Sequence, residues 1–204
     1  MKKRLKRNSN KGFTLIEMAV STAIFVIILI ALTLLARNIW TYNSTISKGF
    51  TNVAAGKKAI KMMEAEIRTA SAANNGSYAV NQASATSFTF FSDINGDGLK
   101  ERIRYFMNGS SLQKGTLIPT GSPLGYTGTE TVTTLLTNVT NTATIFNYYD
   151  TNYDGTTAAL TIPLDVSVVR LVKITLTLDD NPNLPPAPIT FTTQISLRNV
   201  KDNL

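Results

Sequence analysis

The N-terminal part of the chain is dominated by one unbroken apolar run. Residues 18–36 carry no charge and consist mainly of Ile, Leu, Val and Ala. At a rise of about 1.5 Å per residue, this run spans roughly the 30 Å hydrocarbon thickness of a bilayer. It is longer than the apolar region of a cleaved secretory signal, and no small-residue cleavage site follows it. The pattern therefore favours a membrane-spanning helix over an ordinary signal peptide.

The apolar pattern continues beyond this run at the spacing of an amphipathic helix. Apolar positions recur every three, four or seven residues: Ile39, Ile46, Phe50, Val53, Ile60, Met63, Ile67 and Ala70. No proline precedes Pro119, and Asn-Asn-Gly at residues 74–76 is a good helix stop. We therefore expect a single helix from residue 13 to about residue 73, on the order of 90 Å long.

From residue 77 onward the pattern changes to the period of two that is typical of strands. Segments 86–91 and 102–107 are predicted strands that flank a turn. Segments 166–178 and 189–197 are predicted to form a long antiparallel pair. The fold class is therefore α+β, with one long N-terminal helix packed against an antiparallel β-sheet head.

Two segments of the head lack strand periodicity. Residues 179–188 are rich in Asp, Asn and Pro, which favours neither strand nor helix. Residues 115–142 are rich in Gly, Thr and Ser and are predicted to form a loop, with a short helix or strand around residues 131–139.

The composition narrows the chemistry of the chain. The 204 residues carry a formal charge of +7, but six of the basic residues lie within the first eleven positions. From residue 13 onward there are 14 basic and 13 acidic residues, so the charge predicts no nucleic-acid contact. The chain contains no His and no Cys, which excludes imidazole acid–base catalysis, Ser-His-Asp triads, His-ligated zinc, disulfides and thiolate nucleophiles. The basic cluster predicts a cytoplasmic N-terminus, with the chain after about residue 37 outside the membrane.

The junction between the basic and apolar segments has the sequence Lys-Gly-Phe-Thr-Leu-Ile-Glu at residues 11–17. It resembles the class III signal of type IV pilins and pseudopilins, because a basic leader, a Gly-Phe junction, a correctly spaced glutamate and an uninterrupted apolar helix occur together. The resemblance implies that a membrane prepilin peptidase cuts between Gly12 and Phe13 and N-methylates Phe13. It also implies that Glu17 neutralises the amino terminus of a neighbouring subunit during filament assembly. On physical grounds, a carboxylate at the edge of an apolar span needs such a positive partner or a place among the lipid headgroups.

The same resemblance implies an organisation for the whole chain. Residues 1–12 are a leader that is removed, and residues 13–36 form the transmembrane and filament-core helix. Residues 37–75 continue as an amphipathic helix into the head, which comprises residues 76–204. The strand sequences of the head resemble those of J-type minor pseudopilins of type II secretion. The apolar helix lacks the kinking proline of many type IV pilins, which points away from a major pilin.

The implied function is that of a non-catalytic minor pseudopilin in a type II secretion pseudopilus or a related filament. Its expected partners are prepilin peptidase, other pilins or pseudopilins, the cytoplasmic (inner) membrane and secreted cargo. The expected location is that membrane, spanned once, with the head extracted into a filament. A minor pilin of a type IV pilus or a DNA-uptake filament is an alternative. From other classes, a membrane-anchored calcium- or sugar-binding β domain and an anchored enzyme are alternatives, although no catalytic acid pair stands out.

Calcium is the one cofactor that the head sequence suggests. Residues 93–98 place side-chain oxygens at alternate positions before a glycine, as in the first half of an EF-hand loop. The candidate ligands are Asp93, Asn95, Asp97, the backbone carbonyl of Leu99 and Glu101. The loop is not an EF-hand, because its twelfth position is Arg104 and no helices flank it. A hairpin turn is the alternative, because Asn-Gly and Asp-Gly are frequent turn sequences.

A second loop repeats the Asp-x-Asn-x-Asp-Gly pattern at residues 150–155. Asp150, Asn152 and Asp154 are its candidate calcium ligands, and Asp165 is the nearest acid that follows. This second loop is the weaker candidate, because no acid comes soon after the glycine to complete a coordination shell.

Overall fold

The long N-terminal helix α1 (Leu15–Arg68) is the first element of the structure, a computed structural model that describes residues 12–180, 183 and 185–200. The elements that follow are β1 (Val80–Ala83), β2 (Ser87–Ser92), β3 (Glu101–Asn108), β4 (Ser111–Leu117), β5 (Thr131–Leu136), β6 (Phe146–Tyr149), a 3-10 helix (Val166–Val168), β7 (Leu171–Leu178) and β8 (Ile189–Ser196). The chain divides into two compact units between Ile46 and Ser47, so α1 contributes residues to both. The predicted leader lies outside the described residues, except for Gly12.

Helix α1 confirms the predicted single helix but ends at Arg68, earlier than the predicted end near residue 73. Just beyond this point the backbone changes partners, because the Ser71 N–H donates to the carbonyl of Phe91 in β2 at 2.9 Å. The backbone therefore forms a hydrogen bond with the sheet before it reaches the Asn-Asn-Gly sequence that was predicted to stop the helix. The prediction was wrong by about one turn, since it considered local stop signals alone.

The head contains two antiparallel sheets, with strand orders β1-β2-β3-β4-β5 and β6-β7-β8. The two strands predicted on either side of a turn are confirmed as β2 and β3. The predicted long antiparallel pair is confirmed as β7 and β8, which stay in register from Leu171 opposite Ser196 to Leu178 opposite Ile189. The short element expected around residues 131–139 is the strand β5.

Other strand predictions need correction. Strand β7 begins at Leu171 rather than at residue 166, because the Asp165 side chain accepts the Ser167 N–H at 2.9 Å and caps a 3-10 helix there. Strand β4 extends into the segment that was predicted to be a loop from residue 115. Strands β1 and β6 were not predicted, and each has four residues, which is too short for a clear alternation.

One core joins the C-terminal part of α1 to both sheets. Its fully buried members include Met63, Ile67, Phe88, Phe90, Ile103, Tyr105, Leu112, Ile145, Phe146, Tyr148, Ile174, Leu176 and Ile195. Of the predicted helical stripe, the residues from Met63 onward are buried. Ile39, Ile46 and Phe50 remain exposed, Phe50 by 73%. The stripe residues from Met63 onward therefore belong to the core of the second unit.

An aromatic seam, formed by Phe88 of β2 with Phe146 and Tyr148 of β6, connects the two sheets. The ring centroid of Phe88 lies 6.0 Å from that of Phe146 and 5.6 Å from that of Tyr148. Hydrogen bonds also link the two sheets beside these rings. The Tyr148 hydroxyl donates to the Ser84 carbonyl at 2.7 Å. The Ala85 carbonyl accepts the Phe146 N–H at 3.0 Å. The two sheets therefore share one interior.

A polar contact fixes α1 on the first sheet. The carboxylate of Glu66 accepts a hydrogen bond from the Tyr105 hydroxyl at 2.6 Å and one from the Lys114 ammonium at 2.5 Å. The side chains of Glu66 and Lys114 are mostly buried. Because both charges are paired and hydrogen-bonded, their burial is tolerated at the helix–sheet boundary.

Candidate functional site: the N-terminal segment and the aspartate loops

The predicted cleavage junction lies immediately before α1. Gly12, Phe13 and Thr14 have no regular secondary structure and are exposed. The Phe13 side chain is 81% exposed, and a side chain added at Gly12 would meet no atom within 4 Å. The bond between Gly12 and Phe13 is thus free of packing contacts within the described residues.

Glu17, the predicted assembly residue, caps the helix in this structure. Its carboxylate accepts the Thr14 N–H at 2.8 Å and the Thr14 hydroxyl at 2.9 Å. In return, the Thr14 hydroxyl oxygen accepts the Glu17 N–H at 3.3 Å. This reciprocal arrangement is a capping box, whose sequence signature is Thr-x-x-Glu. Sequence reasoning missed it, although the signature is visible at residues 14–17.

The first unit presents its apolar side chains outward. Within the described ranges α1 is the one helix long and apolar enough to cross a membrane, and none of its most apolar window is buried inside the structure. Side chains such as Phe25, Ile27 and Leu34 are each more than half exposed. Exposure of so much apolar surface is unfavourable in water, and lipid or another apolar helix removes that cost. The segment is therefore suited to membrane anchoring.

The first aspartate loop folds around hydrogen bonds from its own backbone. The two carboxylate oxygens of Asp93 accept the N–H groups of Gly96 at 2.7 Å and Gly98 at 2.9 Å. Asn95 accepts the Asp97 N–H at 2.9 Å, and its side-chain amide donates to the Asp97 carboxylate, also at 2.9 Å. Gly96 and Gly98 have φ angles of +79° and +87°, which favour glycine. The turn interpretation therefore explains the conformation of this loop.

Glu101, the last candidate ligand of that loop, is buried. It is the first residue of β3 and is 1% exposed. One oxygen of its carboxylate accepts the Ile94 N–H at 3.1 Å. The other oxygen, Oε1, is buried and has no hydrogen-bond partner among the described residues.

The second aspartate loop is exposed and self-contained. Asp150 accepts the Asn152 N–H at 2.9 Å. Asp154 accepts the N–H groups and the hydroxyls of Thr156 and Thr157 at 2.7 to 2.9 Å. These four bonds hold the pKa of Asp154 well below its ordinary value, with the Thr157 hydroxyl as the largest cause. Asp165 is not part of this loop, because it caps the 3-10 helix.

Neither loop assembles a metal centre in the conformation described. Across residues 12–180, 183 and 185–200, no three acidic side chains are grouped closely enough to hold a metal ion. The exposed acids of both loops instead accept backbone N–H groups within their own turns. The candidate site that the geometry presents most clearly is therefore the N-terminal segment, with its exposed junction and its capped, apolar helix.

Comparison with known proteins also points to the N-terminal segment. A family model described as "Prokaryotic N-terminal methylation motif" matches residues 7–33. The match covers the Gly12–Phe13 junction, Glu17 and most of the apolar run, and it does not extend into the head. No curated protein matches the chain.

Proposed function

Since this chain combines a prepilin-type methylation motif with the helix-and-sheet fold of a type IV pilin-like protein, we propose that it is a non-catalytic minor subunit of a type II secretion pseudopilus or a closely related filament. The observation that carries the proposal is the coincidence of the motif match with an exposed, capped apolar helix. A pilin-type structural subunit needs this segment both as a membrane anchor and as an assembly surface.

Processing takes place at the Gly12–Phe13 bond. Prepilin peptidase removes residues 1–12 and N-methylates Phe13. The exposure of Gly12 and Phe13 in the described part of the chain supports access of a protease to this bond. Cleavage leaves Phe13 with a free ammonium group one turn before Glu17, so the new charge and its counter-charge lie at the same end of the helix.

The subunit waits in the cytoplasmic membrane with its N-terminus in the cytoplasm and its head on the other side. The six basic residues of the leader support this orientation, because Lys and Arg are retained on the cytoplasmic side. Assembly then transfers the apolar helix from lipid to the helices of neighbouring subunits, and the head meets related subunits or secreted cargo.

The experiment that tests processing is intact mass spectrometry of the membrane-bound protein from cells with and without prepilin peptidase. We expect loss of residues 1–12 and gain of one methyl group on Phe13, strictly dependent on the peptidase. Gly12→Val removes the small residue before the cut, so this variant is expected to stay uncut. Gly49→Ala, a glycine replacement elsewhere in the chain, is the matched control and is expected to be processed normally.

Two outcomes would overturn the proposal. The first is a wild-type chain that remains uncut in the presence of an active peptidase. The second is a cut beyond residue 36, which would make the N-terminal segment an ordinary secretory signal.

A further inference from the structure

Two aromatic residues of α1, Trp40 and Tyr42, follow the apolar run closely. Their side chains are 77% and 70% exposed, and both belong to the first unit. Trp and Tyr are enriched where a membrane meets water, because each ring is apolar and carries one polar atom. We propose that Trp40 and Tyr42 form an aromatic belt that binds the lipid headgroup layer on the outer side of the membrane, an inference that rests on the membrane location proposed above.

The position of the belt along α1 matches the thickness of a bilayer. The helix carries no charge between Glu17 and Arg37. At a rise of about 1.5 Å per residue, the interval between these two residues corresponds to the 30 Å hydrocarbon layer. With Glu17 at the cytoplasmic edge, Arg37 reaches the opposite edge, and Trp40 lies about 5 Å beyond it. The belt is therefore at the level of the headgroups.

The arrangement of the belt around the helix favours lipid over a docked protein. Successive residues of an α-helix are about 100° apart, so Trp40 and Tyr42 project from nearly opposite sides of α1. A single helix packed against α1 covers one face and reaches one of the two rings. A headgroup layer surrounds the helix and contacts both rings.

The polar residues beside the belt are also suited to this layer. Arg37 has an apolar stem and a guanidinium group that binds phosphate, which is present in the headgroups of phospholipids. The Thr41 hydroxyl donates to the Arg37 carbonyl at 3.0 Å, and the Ser44 hydroxyl donates to the Thr41 carbonyl at 2.9 Å. The hydroxyl donors of these two residues are thus satisfied within the helix, which continues without a break through the belt. The belt sets the depth at which α1 lies in the membrane before assembly.

The fluorescence of Trp40 tests this depth directly, because it is the only Trp of the 204-residue chain. The full-length protein is reconstituted at low density in vesicles of phosphatidylcholine and phosphatidylglycerol. Three quenchers are compared: a nitroxide on the lipid headgroup, a nitroxide near the end of an acyl chain, and iodide on both sides of the bilayer. We expect the headgroup nitroxide to quench Trp40 more strongly than the chain-end nitroxide or iodide does.

Two variants with a displaced Trp are the matched controls, each combined with Trp40→Phe. Ile30→Trp and Ile46→Trp replace side chains of similar exposure, 55% and 56%. Position 30 lies about 15 Å before Trp40 along the helix, so chain-end quenching is expected to dominate there. Position 46 lies about 9 Å beyond Trp40, so iodide is expected to dominate there.

Three results for Trp40 would overturn the belt: dominant quenching by iodide, dominant quenching by the chain-end nitroxide, or protection from all three quenchers. The last result would mean that protein covers the ring. If Ile30→Trp is quenched from the chain end while Trp40 gives one of these results, the belt alone fails and the membrane location stands. If neither nitroxide quenches Ile30→Trp, the membrane location fails and the belt fails with it.

Discussion

Glu17 has one role in the structure, as a helix cap, and a second role in filament assembly that we propose. In the structure both of its hydrogen bonds come from Thr14, at the first turn of the helix. Both bonds end on the Oε2 atom of Glu17. Its Oε1 atom can therefore accept an ammonium group from a neighbouring subunit while the cap stays in place.

Glu17→Gln separates the two uses. Glutamine can still complete a capping box, but it has no charge for a neighbouring amino terminus. We expect this variant to be inserted and processed normally and to fail in filament assembly, measured by cross-linking between subunits and by sedimentation of filaments.

Thr14→Val is the complementary control, since it removes both hydrogen bonds of the Thr14 hydroxyl and keeps the charge of Glu17. We expect it to retain assembly. Wild-type filament yield from Glu17→Gln would show that the charge is not required, and loss of assembly in Thr14→Val alone would assign the effect to the helix terminus.

Tyr105 illustrates how burial at one residue makes stability depend on pH. Burial is the largest cause that raises the pKa of Tyr105, followed by the charge of Glu66 and the hydrogen bond to it. Tyr148 has a raised pKa for the same leading reason, its burial. In the unfolded chain both groups ionise near pH 10, whereas in the folded chain both keep their protons. The folded state therefore binds more protons, and its stability falls as the pH rises above about 10.

The expected slope is about 1.4 kcal/mol per pH unit for each such tyrosine. Tyr105→Phe is expected to reduce this slope by about 1.4 kcal/mol per pH unit, because one of the two tyrosines no longer ionises. It is also expected to lower the free energy of unfolding near neutral pH by about 1–2 kcal/mol, because the hydrogen bond to Glu66 is lost. Urea unfolding in detergent between pH 9 and pH 11, followed by circular dichroism, measures both effects. Tyr42→Phe, at an exposed position, is the control and is expected to leave the slope unchanged; an equal change there would rule out burial as the cause.

At the scale of the elements, the periodic parts of the sequence were the predictable ones. The helix and the strands β2, β3, β7 and β8 have long stretches with a clear period, and hydrophobic burial selects one face in each. Strand β4 was missed because Gly115 interrupts its pattern. In the fold this glycine is needed, since the Glu130 side chain, which pairs with Arg104, occupies the space where a side chain at position 115 would lie. Such a tertiary contact leaves no periodic signal.

The candidate site, too, was only partly predictable from the sequence. The motif at residues 11–17 was recognised through its resemblance to a known family signal, whereas the apolar helix follows from periodicity and composition. The capping role of Glu17 was also available from sequence, through its distance from Thr14. The isolation of the Glu101 oxygen was not available, because it depends on how the loop, the helix end and Tyr126 pack around the first residue of β3.

Two glycines of α1, Gly49 and Gly56, differ in the space that is available for a Cβ atom. A Cβ at Gly56 would come closer than 3.0 Å to ring carbons of Phe191 in β8, whereas a Cβ at Gly49 would meet the Cγ of Pro186 at 3.7 Å, an ordinary contact. Replacement of a helical glycine by alanine otherwise favours the helix by about 1 kcal/mol.

We therefore expect Gly49→Ala to stabilise the protein by up to about 1 kcal/mol, and Gly56→Ala to destabilise it by about 1–3 kcal/mol through overpacking. Thermal unfolding of the two variants in the same detergent measures the difference. Phe191→Leu combined with Gly56→Ala is expected to recover part of the loss, since the ring is removed. Equal stabilisation by both alanines would show that the Phe191 ring of β8 can move aside without loss of stability.

At the scale of the whole molecule, the two units differ in whether their apolar side chains are exposed or buried. In the described part of the first unit, the apolar side chains of α1 are exposed. In the second unit they are enclosed between α1 and the two sheets. A chain that combines both surfaces is adapted to two solvents at once, lipid for one unit and water for the other.

The aromatic seam between the sheets also sets an order of events during synthesis. Strands β1 to β5 leave the ribosome before β6, so Phe88 is made well before Phe146 and Tyr148, the rings that cover it. Until β6 arrives, the growing chain carries an open aromatic surface while its N-terminal helix is already available for insertion. A chain arrested in this interval is a natural target for quality-control proteases and holding chaperones, and the arrival of residues 145–149 marks the point at which the head can close.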